Sequence, residues 1–183
     1  MLYVLAFVVL LLAAAMVALF AMLGELYTRI GGAPAPTDSL AEATVGQRPD
    51  NWPPELARLA AEDAVLLVLS TSCVTCNGVA GQLRQLPEPV PGYVTGVALS
   101  TPDPERADEF MARYGLPRDA VYVDQGGDWV TRTFGVQTSP SALFLRAGQV
   151  DSAVLFSDIA ALRAAAPVKQ TTGQAVPMSK EAP

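Results

Sequence analysis

The stretch AVLLVLSTSCVTC, residues 64–76, decides the fold. Its first six residues are apolar, which predicts a buried central strand over residues 64–69. The cysteines that follow, Cys73 and Cys76, are the only two in the chain. We expect a helix after them, so that Cys73 stands at a helix N-terminus, where backbone N–H groups and the helix dipole favour a thiolate. Cys76 then lies one turn further along the same face and can close an intramolecular disulfide.

The cysteine pair allows three interpretations. In the first, Cys73 is a redox nucleophile whose thiolate attacks a disulfide. The second is half of a structural zinc site, but such a site takes four ligands and the chain has no histidine and no third cysteine. The third is an inert structural disulfide, although so short a loop constrains few unfolded conformations and stabilises little. The spacing favours redox chemistry, and we expect no metal and no cofactor.

The composition disfavours several classes of function. The chain has 183 residues, a formal net charge of -6 and no histidine. Its acidic balance, without a cluster of lysines or arginines, argues against nucleic-acid binding. The absence of histidine removes Ser-His-Asp and Cys-His nucleophile systems. Thiol exchange is among the few chemistries that remain.

The N-terminus predicts a membrane anchor over residues 1–24. The run from Met1 to Leu23 carries no charged side chain, and at ~1.5 Å per residue it can cross a hydrocarbon core of ~30 Å. A cleaved signal peptide fits less well, because no Lys or Arg precedes the run. A buried core helix also fits less well, because the run is apolar on every face. Residues 25–52, rich in Pro, Gly, Ala, Ser and Thr, predict a flexible linker.

The side of the membrane is open to two arguments. Arg29, just after the apolar run, places the following domain weakly in the cytoplasm by the positive-inside rule. A tethered Cys-x-x-Cys domain, however, works where disulfides form and persist. We expect a single-pass protein of the cell membrane with its domain on the extracytoplasmic side.

The rest of the chain alternates predicted strands and helices. The predicted helices cover 54–61, the turns after Cys73 up to Pro87, 103–115, 129–134 and 158–165, the last capped by Ser157 or Asp158. The predicted strands cover 64–69, 93–99, 120–123, 141–146 and 150–156. Strands joined by helices imply parallel pairing, and the last two strands form a hairpin around Ala147-Gly148. We expect an α/β domain over 53–166 with helices on both faces of a mixed sheet, and a disordered tail over 167–183.

These motifs resemble the thioredoxin superfamily. The strand that runs into Cys-x-x-Cys is one signature, and FGVQTSPSALFL, residues 134–145, is similar to the Tyr-Gly-Val…Pro-Thr segment of that family. Gly148 matches the glycine of its hairpin. The stretch VDQGGD, residues 123–128, resembles the membrane-tethered TlpA/ResA-like branch. Over residues 53–166 the resemblance implies a thioredoxin-like three-layer sandwich with a mixed central sheet, preceded here by one transmembrane helix.

The resemblance also implies roles for individual residues. Pro140 would be a cis-proline beside the cysteines, presenting the Ser139 backbone to a substrate chain as to an added strand. The alternative for Pro140 is an ordinary trans proline at the start of a strand. The chain departs from the family at Leu67, where thioredoxins carry a buried acid, and at Ser72, where an aromatic residue is common. Asp124 is a candidate acid/base group or, alternatively, a turn residue at a strand end.

The expected function is a membrane-tethered thiol–disulfide oxidoreductase, acting as a reductase on protein disulfides. Its recharging requires a separate electron donor, either a membrane protein or another thioredoxin-like domain. The departures at Leu67 and Ser72 keep an alternative open, a non-catalytic thioredoxin-fold module that binds proteins at the membrane. A thiol peroxidase fits poorly, because the proline that it needs ahead of the reactive cysteine is absent.

Overall fold

The computed structural model describes Met16 and residues 43–86 and 88–167. Five strands form one sheet: β1 Ala64–Ser70, β2 Val94–Thr101, β3 Val121–Gln125, β4 Ser141–Arg146 and β5 Gln149–Leu155. The α-helices are α1 Val74–Leu83, α2 Pro104–Tyr114, α3 Asp128–Phe134 and α4 Ile159–Ala165. Two 3-10 helices cover Pro54–Ala60 and Arg118–Ala120.

Several predicted segments lie outside the described residues. They are the anchor over 1–24 apart from Met16, the linker as far as residue 42, Pro87, and the tail from residue 168 onward. Among the described residues, no helix combines the length and the apolar character needed to cross a bilayer. The domain boundaries stay predictions.

The sheet has the strand order β3-β2-β1-β4-β5. β1 lies at its centre, parallel to β2 and antiparallel to β4, which explains why its residues are apolar without alternation. β2 and β3 are parallel, and β4 and β5 form the antiparallel hairpin. The turn of this hairpin, Ala147-Gly148, has φ values of 48° and 78°. The predicted mixed sheet is confirmed.

Helices cover both faces of the sheet, which makes three layers. On one face α1, α2 and α4 bury side chains that include Cys76, Val79, Phe110 and Leu162. On the other face the first 3-10 helix and α3 pack through residues that include Leu56, Leu59, Val130 and Phe134.

The structure differs from the predicted elements mainly at their ends. The helix α1 ends at Leu83, because the N–H groups of Gln85 and Leu86 donate to carbonyls three residues earlier, as in Leu86 N–H to Leu83 O at 3.1 Å. The segment 54–60 is a 3-10 helix. Of the two proposed caps for α4, Asp158 takes the role, since its side chain accepts from the Ala161 N–H at 2.9 Å.

The first 3-10 helix approaches β2 closely at Gly96, which predicts that a side chain at this position lowers the stability of the domain. A Cβ there would lie 2.7 Å from Leu59 Cδ1 and 2.8 Å from Leu56 Cδ2, and both leucines are fully enclosed by the core. We predict that Gly96→Ala lowers the free energy of unfolding by about 1–3 kcal/mol through overpacking. Urea unfolding followed by circular dichroism measures this loss.

The matched control is Gly78→Ala on the exposed side of α1. A Cβ at Gly78 meets nothing within 4 Å, so the substitution should raise the free energy of unfolding by about 0.5–1 kcal/mol through helix propensity. Equal stabilities of the two variants would contradict the proposed contact of β2 with the 3-10 helix.

Candidate active site

Cys73 lies where β1 gives way to α1. The chain turns after Ser70, and the Cys73 N–H donates to the Ser70 carbonyl at 3.2 Å. Cys73 is the N-cap of α1, with φ −95° and ψ 120°, and its sulfur accepts a hydrogen bond from the Cys76 N–H at 3.2 Å. The sulfur of Cys73 therefore lies at the helix N-terminus, as the sequence predicts, and the side chain is partly exposed.

The loop before β4 reaches the same sulfur from the other half of the chain. The Ser139–Pro140 peptide bond is cis, as the resemblance implies. The Cys73 thiol donates to the Ser139 carbonyl, with 3.6 Å between Sγ and O. Ser139 is partly exposed and Pro140 is buried. The structure thus brings together Cys73, Cys76, Ser139 and Pro140.

Cys76 differs from its partner because it is fully buried. The pKa of the Cys76 thiol is raised from 9.0 to about 12, mainly by burial and then by the Cys73 side chain, while smaller effects of the Ser70 backbone and Ser139 lower it. Leu67, fully buried in the same core cluster, occupies the position where a thioredoxin would hold an acid. At neutral pH the Cys76 thiol therefore stays protonated and lacks an internal carboxylate at that position to receive its proton.

Asp124 serves as a helix anchor. Its carboxylate is 2% exposed, Oδ1 accepts from the Trp129 N–H at 3.0 Å and Oδ2 from the Val130 N–H at 3.0 Å. Both oxygens thus satisfy free N–H groups in the first turn of α3, where a negative charge is also favoured by the dipole. No hydrogen bond joins Asp124 to either cysteine within the described residues. The geometry favours the alternative given for this residue, a structural role at a strand end.

Two features of the site have no counterpart in the sequence predictions. The first is Thr101, buried at the end of β2, whose hydroxyl accepts from the Thr71 hydroxyl at 3.3 Å and donates to the Asp103 carbonyl at 2.7 Å. It ties the turn before Cys73 to the neighbouring strand. The sequence signal for this role is the polar residue Thr101 at the end of the largely apolar strand β2.

The second feature is a cavity of about 400 Å³ beside the cysteine loop. Its walls come from the ends of β1 and β2, the start of α3 and the loop before Pro140, and they carry uncharged polar groups from Ser70, Ser100, Gln137 and Ser139. These walls derive from four distant segments, which is why no local pattern predicts the cavity. Within the described ranges, no group of three or more cysteine, aspartate or glutamate side chains is placed to hold a metal ion.

Solved structures share this architecture. MTB DsbF, described in mixed oxidized and reduced forms, aligns with a TM-score of 0.50 and 24% identity over 58% of this chain and 80% of that chain. The fold is thioredoxin-like. No family model matches the chain, and no curated protein matches it.

Two further neighbours of this thioredoxin-like domain are thiol–disulfide proteins by name. A secreted Mycobacterium tuberculosis disulfide oxidoreductase homologous to E. coli DsbE aligns with a TM-score of 0.49 and 23% identity, over 59% of this chain and 82% of that chain. A thiol:disulfide interchange protein of the thioredoxin family from Chlorobium tepidum TLS aligns with a TM-score of 0.48 and 16% identity, over 72% of this chain and 95% of that chain.

The raised pKa of Cys76 predicts that the rate of its attack on a mixed disulfide at Cys73 depends steeply on pH. In a mixed disulfide formed at Cys73, the attack by Cys76 requires its thiolate. Burial, the largest cause of the raised pKa, persists in that intermediate, so the thiolate fraction rises about tenfold per pH unit while the pH stays below this pKa. The test uses a mixed disulfide between Cys73 and a coloured aryl thiol. We predict that Cys76 releases the aryl thiolate about tenfold faster for each pH unit between pH 7 and pH 10. A rate that levels off by pH 8 would show that Cys76 is far more acidic.

The same shift affects the stability of the reduced form. Since the folded pKa of Cys76 lies above the unfolded value of 9.0, the folded state holds the proton more tightly, and stability falls as pH rises from about 9 towards 12. The variant Cys76→Ser, which does not titrate in this range, is the control and should lack that part of the pH dependence.

The hydrogen bonds of Asp124 predict that removing its carboxylate lowers the stability of the domain and leaves the reaction of the two cysteines unchanged. We expect Asp124→Ala to lower the free energy of unfolding by about 1–3 kcal/mol, because two N–H groups of α3 lose their acceptor. The pH profile of the Cys76 attack should keep its shape. A profile that shifts in the variant would instead assign Asp124 an acid/base role.

Proposed function

We propose that the protein is a membrane-tethered thiol–disulfide oxidoreductase that reduces protein disulfides through Cys73 and Cys76. The observation that carries the proposal is the position of the Cys73 sulfur. It is partly exposed, capped by the Cys76 N–H at 3.2 Å, and 3.6 Å from the Ser139 carbonyl that precedes the cis-proline. A thiol so placed is accessible to a substrate and stands at the N-terminus of a helix.

The reaction proceeds in two exchanges. The Cys73 thiolate attacks one sulfur of the substrate disulfide, the substrate S–S bond breaks, a mixed disulfide forms and the other substrate sulfur leaves as a thiolate. Cys76 then loses its proton and attacks the Cys73 sulfur, which closes the Cys73–Cys76 bond and releases the second substrate thiolate. Two electrons pass from the cysteine pair to the substrate, and both released thiolates take up protons.

The surroundings of Cys73 fit an extended protein substrate. The Ser139 backbone lies beside the sulfur, where a substrate chain can pair with it as an added strand. Val74, 84% exposed in the first turn of α1, offers an apolar contact directly after the nucleophile. The neighbouring cavity, with its uncharged polar walls, can take a small side chain of the same substrate.

The environment of Cys76 supports the reducing direction. A disulfide protein is a strong oxidant when its reduced form is stabilised. Here burial keeps the Cys76 thiol protonated, so ionisation of this residue does not stabilise the reduced form. The oxidised pair is then recharged by a separate donor, either a membrane protein or another thioredoxin-like domain.

The proposed location rests on the sequence. Residues 1–24 would anchor the chain in the bilayer and residues 25–52 would tether the domain, on the extracytoplasmic side. A membrane-impermeant thiol reagent tests the side, because it should label Cys73 in intact cells before they are lysed. Labelling only after lysis would place the domain in the cytoplasm.

The activity is tested with the full chain and three variants. We expect the reduction potential of the cysteine pair, measured in thiol buffers by mass spectrometry, to lie below about −200 mV, in the reducing part of the range for such proteins. Turnover of a protein disulfide should disappear in Cys73→Ser and in the double variant. Cys76→Ser should accumulate mixed disulfides with substrates, since it keeps the attacking sulfur without the resolving one.

Two results would contradict the proposal. One is turnover that persists in Cys73→Ser, which would place the chemistry elsewhere. The other is a disulfide that resists reduction and shows no exchange in the wild type, which would favour a non-catalytic binding module on the same fold.

A further inference from the structure

A second cavity lies at the end of α1 opposite the cysteines. Its volume is about 610 Å³, within the ~300–1,000 Å³ typical of small-molecule sites. Its walls are the end of α1 with residues 84–86 and 88–89 after it, the first half of β2, the connection from Gly115 to Val121, and Arg58 of the first 3-10 helix. Apolar side chains such as Leu83, Leu116 and Val97 contribute to them. At ~1.5 Å per residue, α1 separates this cavity from Cys73 by ~15 Å.

The two arginines at this cavity have no ion-pair partner among the described residues. Arg58 and Arg84 line the cavity, and both are exposed. Four other arginines pair with aspartates, namely Arg106 with Asp103, Arg118 with Asp108, Arg132 with Asp128 and Arg146 with Asp151. Two guanidinium groups that line one cavity and form no ion pair with a described carboxylate can bind an external anion.

The position of Arg84 is constrained by its neighbours. Its Cγ and Cδ lie 3.5 Å from the place where a Cβ on Gly115 would be, so the side chain packs over this glycine. Arg84 also lines an adjoining cavity together with Arg113, which has no ion-pair partner among the described residues either. The positive charge is thus concentrated around Arg84, between the two cavities.

The inner wall adds an unsatisfied hydroxyl. Thr95 Oγ1 is buried and has no hydrogen-bond partner among the described residues, although Thr95 lines the cavity. A buried hydroxyl without a partner carries a desolvation cost that a ligand oxygen can remove. Glu88 also lines the cavity, so Arg58, Arg84 and Glu88 together leave one net positive charge. That balance suits a monoanion better than a multiply charged phosphate.

We propose that this cavity is a binding site for an amphipathic monocarboxylate, a small molecule with one carboxylate and an apolar tail. The carboxylate accepts hydrogen bonds from the guanidinium groups of Arg84 and Arg58, and the planar guanidinium of Arg84 can bind it in a bidentate manner. The tail lies against the apolar walls and is removed from water. This site is separate from the cysteine pair and does not depend on the redox assignment.

Arginine footprinting on the full chain tests the proposal. The probe is octanoate, added to the chain in phosphatidylcholine nanodiscs, and phenylglyoxal then modifies accessible arginines, each quantified by peptide mass spectrometry. We expect saturable protection of Arg58 and Arg84, with modification slowed about fivefold or more, and no protection of Arg146. The neutral octanol and the cationic octylammonium, which carry the same tail, should not protect at equal free concentration.

Matched variants identify the groups that bind. Arg84→Gln, read at Arg58, should raise the octanoate concentration for half-protection about tenfold, the loss expected for a charge-assisted hydrogen bond. Arg58→Gln, read at Arg84, gives the reciprocal measurement should the first variant fold poorly. Arg146→Gln removes the same charge at the β4–β5 hairpin, at a residue that does not line the cavity, and should leave protection unchanged.

Three outcomes would overturn the proposal. They are the absence of saturable protection, protection by octanol equal to that by octanoate, and an equal effect of the Arg84 and Arg146 variants. The second outcome would show a purely apolar cavity, and the third would show a diffuse effect of charge.

Discussion

The hydrogen bond from the Cys76 N–H to the Cys73 sulfur is the contact on which the rest of the site depends. It makes the sulfur of Cys73 the cap of α1, so the same residue that begins the helix is also partly exposed to solvent. Its partner is placed by the same turn of helix, but on the buried side, where the core of the domain surrounds it. One N-terminal turn thus produces two thiols of opposite character.

The second half of the site depends on the order of the strands. β1 and β4 are antiparallel neighbours, and the pair Val68↔Ser141 places the end of β1 beside the beginning of β4. The loops that leave these two ends must therefore meet, although Cys73 and Ser139 are 66 positions apart. The contact between thiol and carbonyl is a consequence of topology, and a thioredoxin-like sheet supplies it without a local sequence signal.

The sequence is informative where one residue type has one physical meaning. The unbroken apolar run of β1 and the Asp103-Pro104 start of α2 gave correct elements, and Gly115 closes α2 with φ 63° as its position suggests. The local pattern was less informative where a contact crosses the fold. Nothing near Asp124 in the sequence reveals that both its oxygens bind the first turn of α3.

Cavities are the extreme case of this limit. The arginine-lined cavity draws its walls from α1, β2, a 3-10 helix and the α2–β3 connection, so only the assembled domain defines it. The departure at Leu67, by contrast, can be recognised from the sequence, because thioredoxins carry a buried acid at this one position of the strand. The structure adds the surroundings of that side chain, which lies in the same apolar cluster as Cys76.

Leu67 has a consequence for the kinetics of the proposed exchange reaction. With leucine at this position, the proton of Cys76 must be taken up from outside the core, by water or by a group that arrives with the partner. Small basic solutes in the medium can then act as exogenous proton acceptors, so the speed of disulfide closure depends on the buffer species and its concentration at constant pH. An internal carboxylate would keep this proton transfer within the protein. Without one, the transfer depends on the solutes of the surrounding compartment.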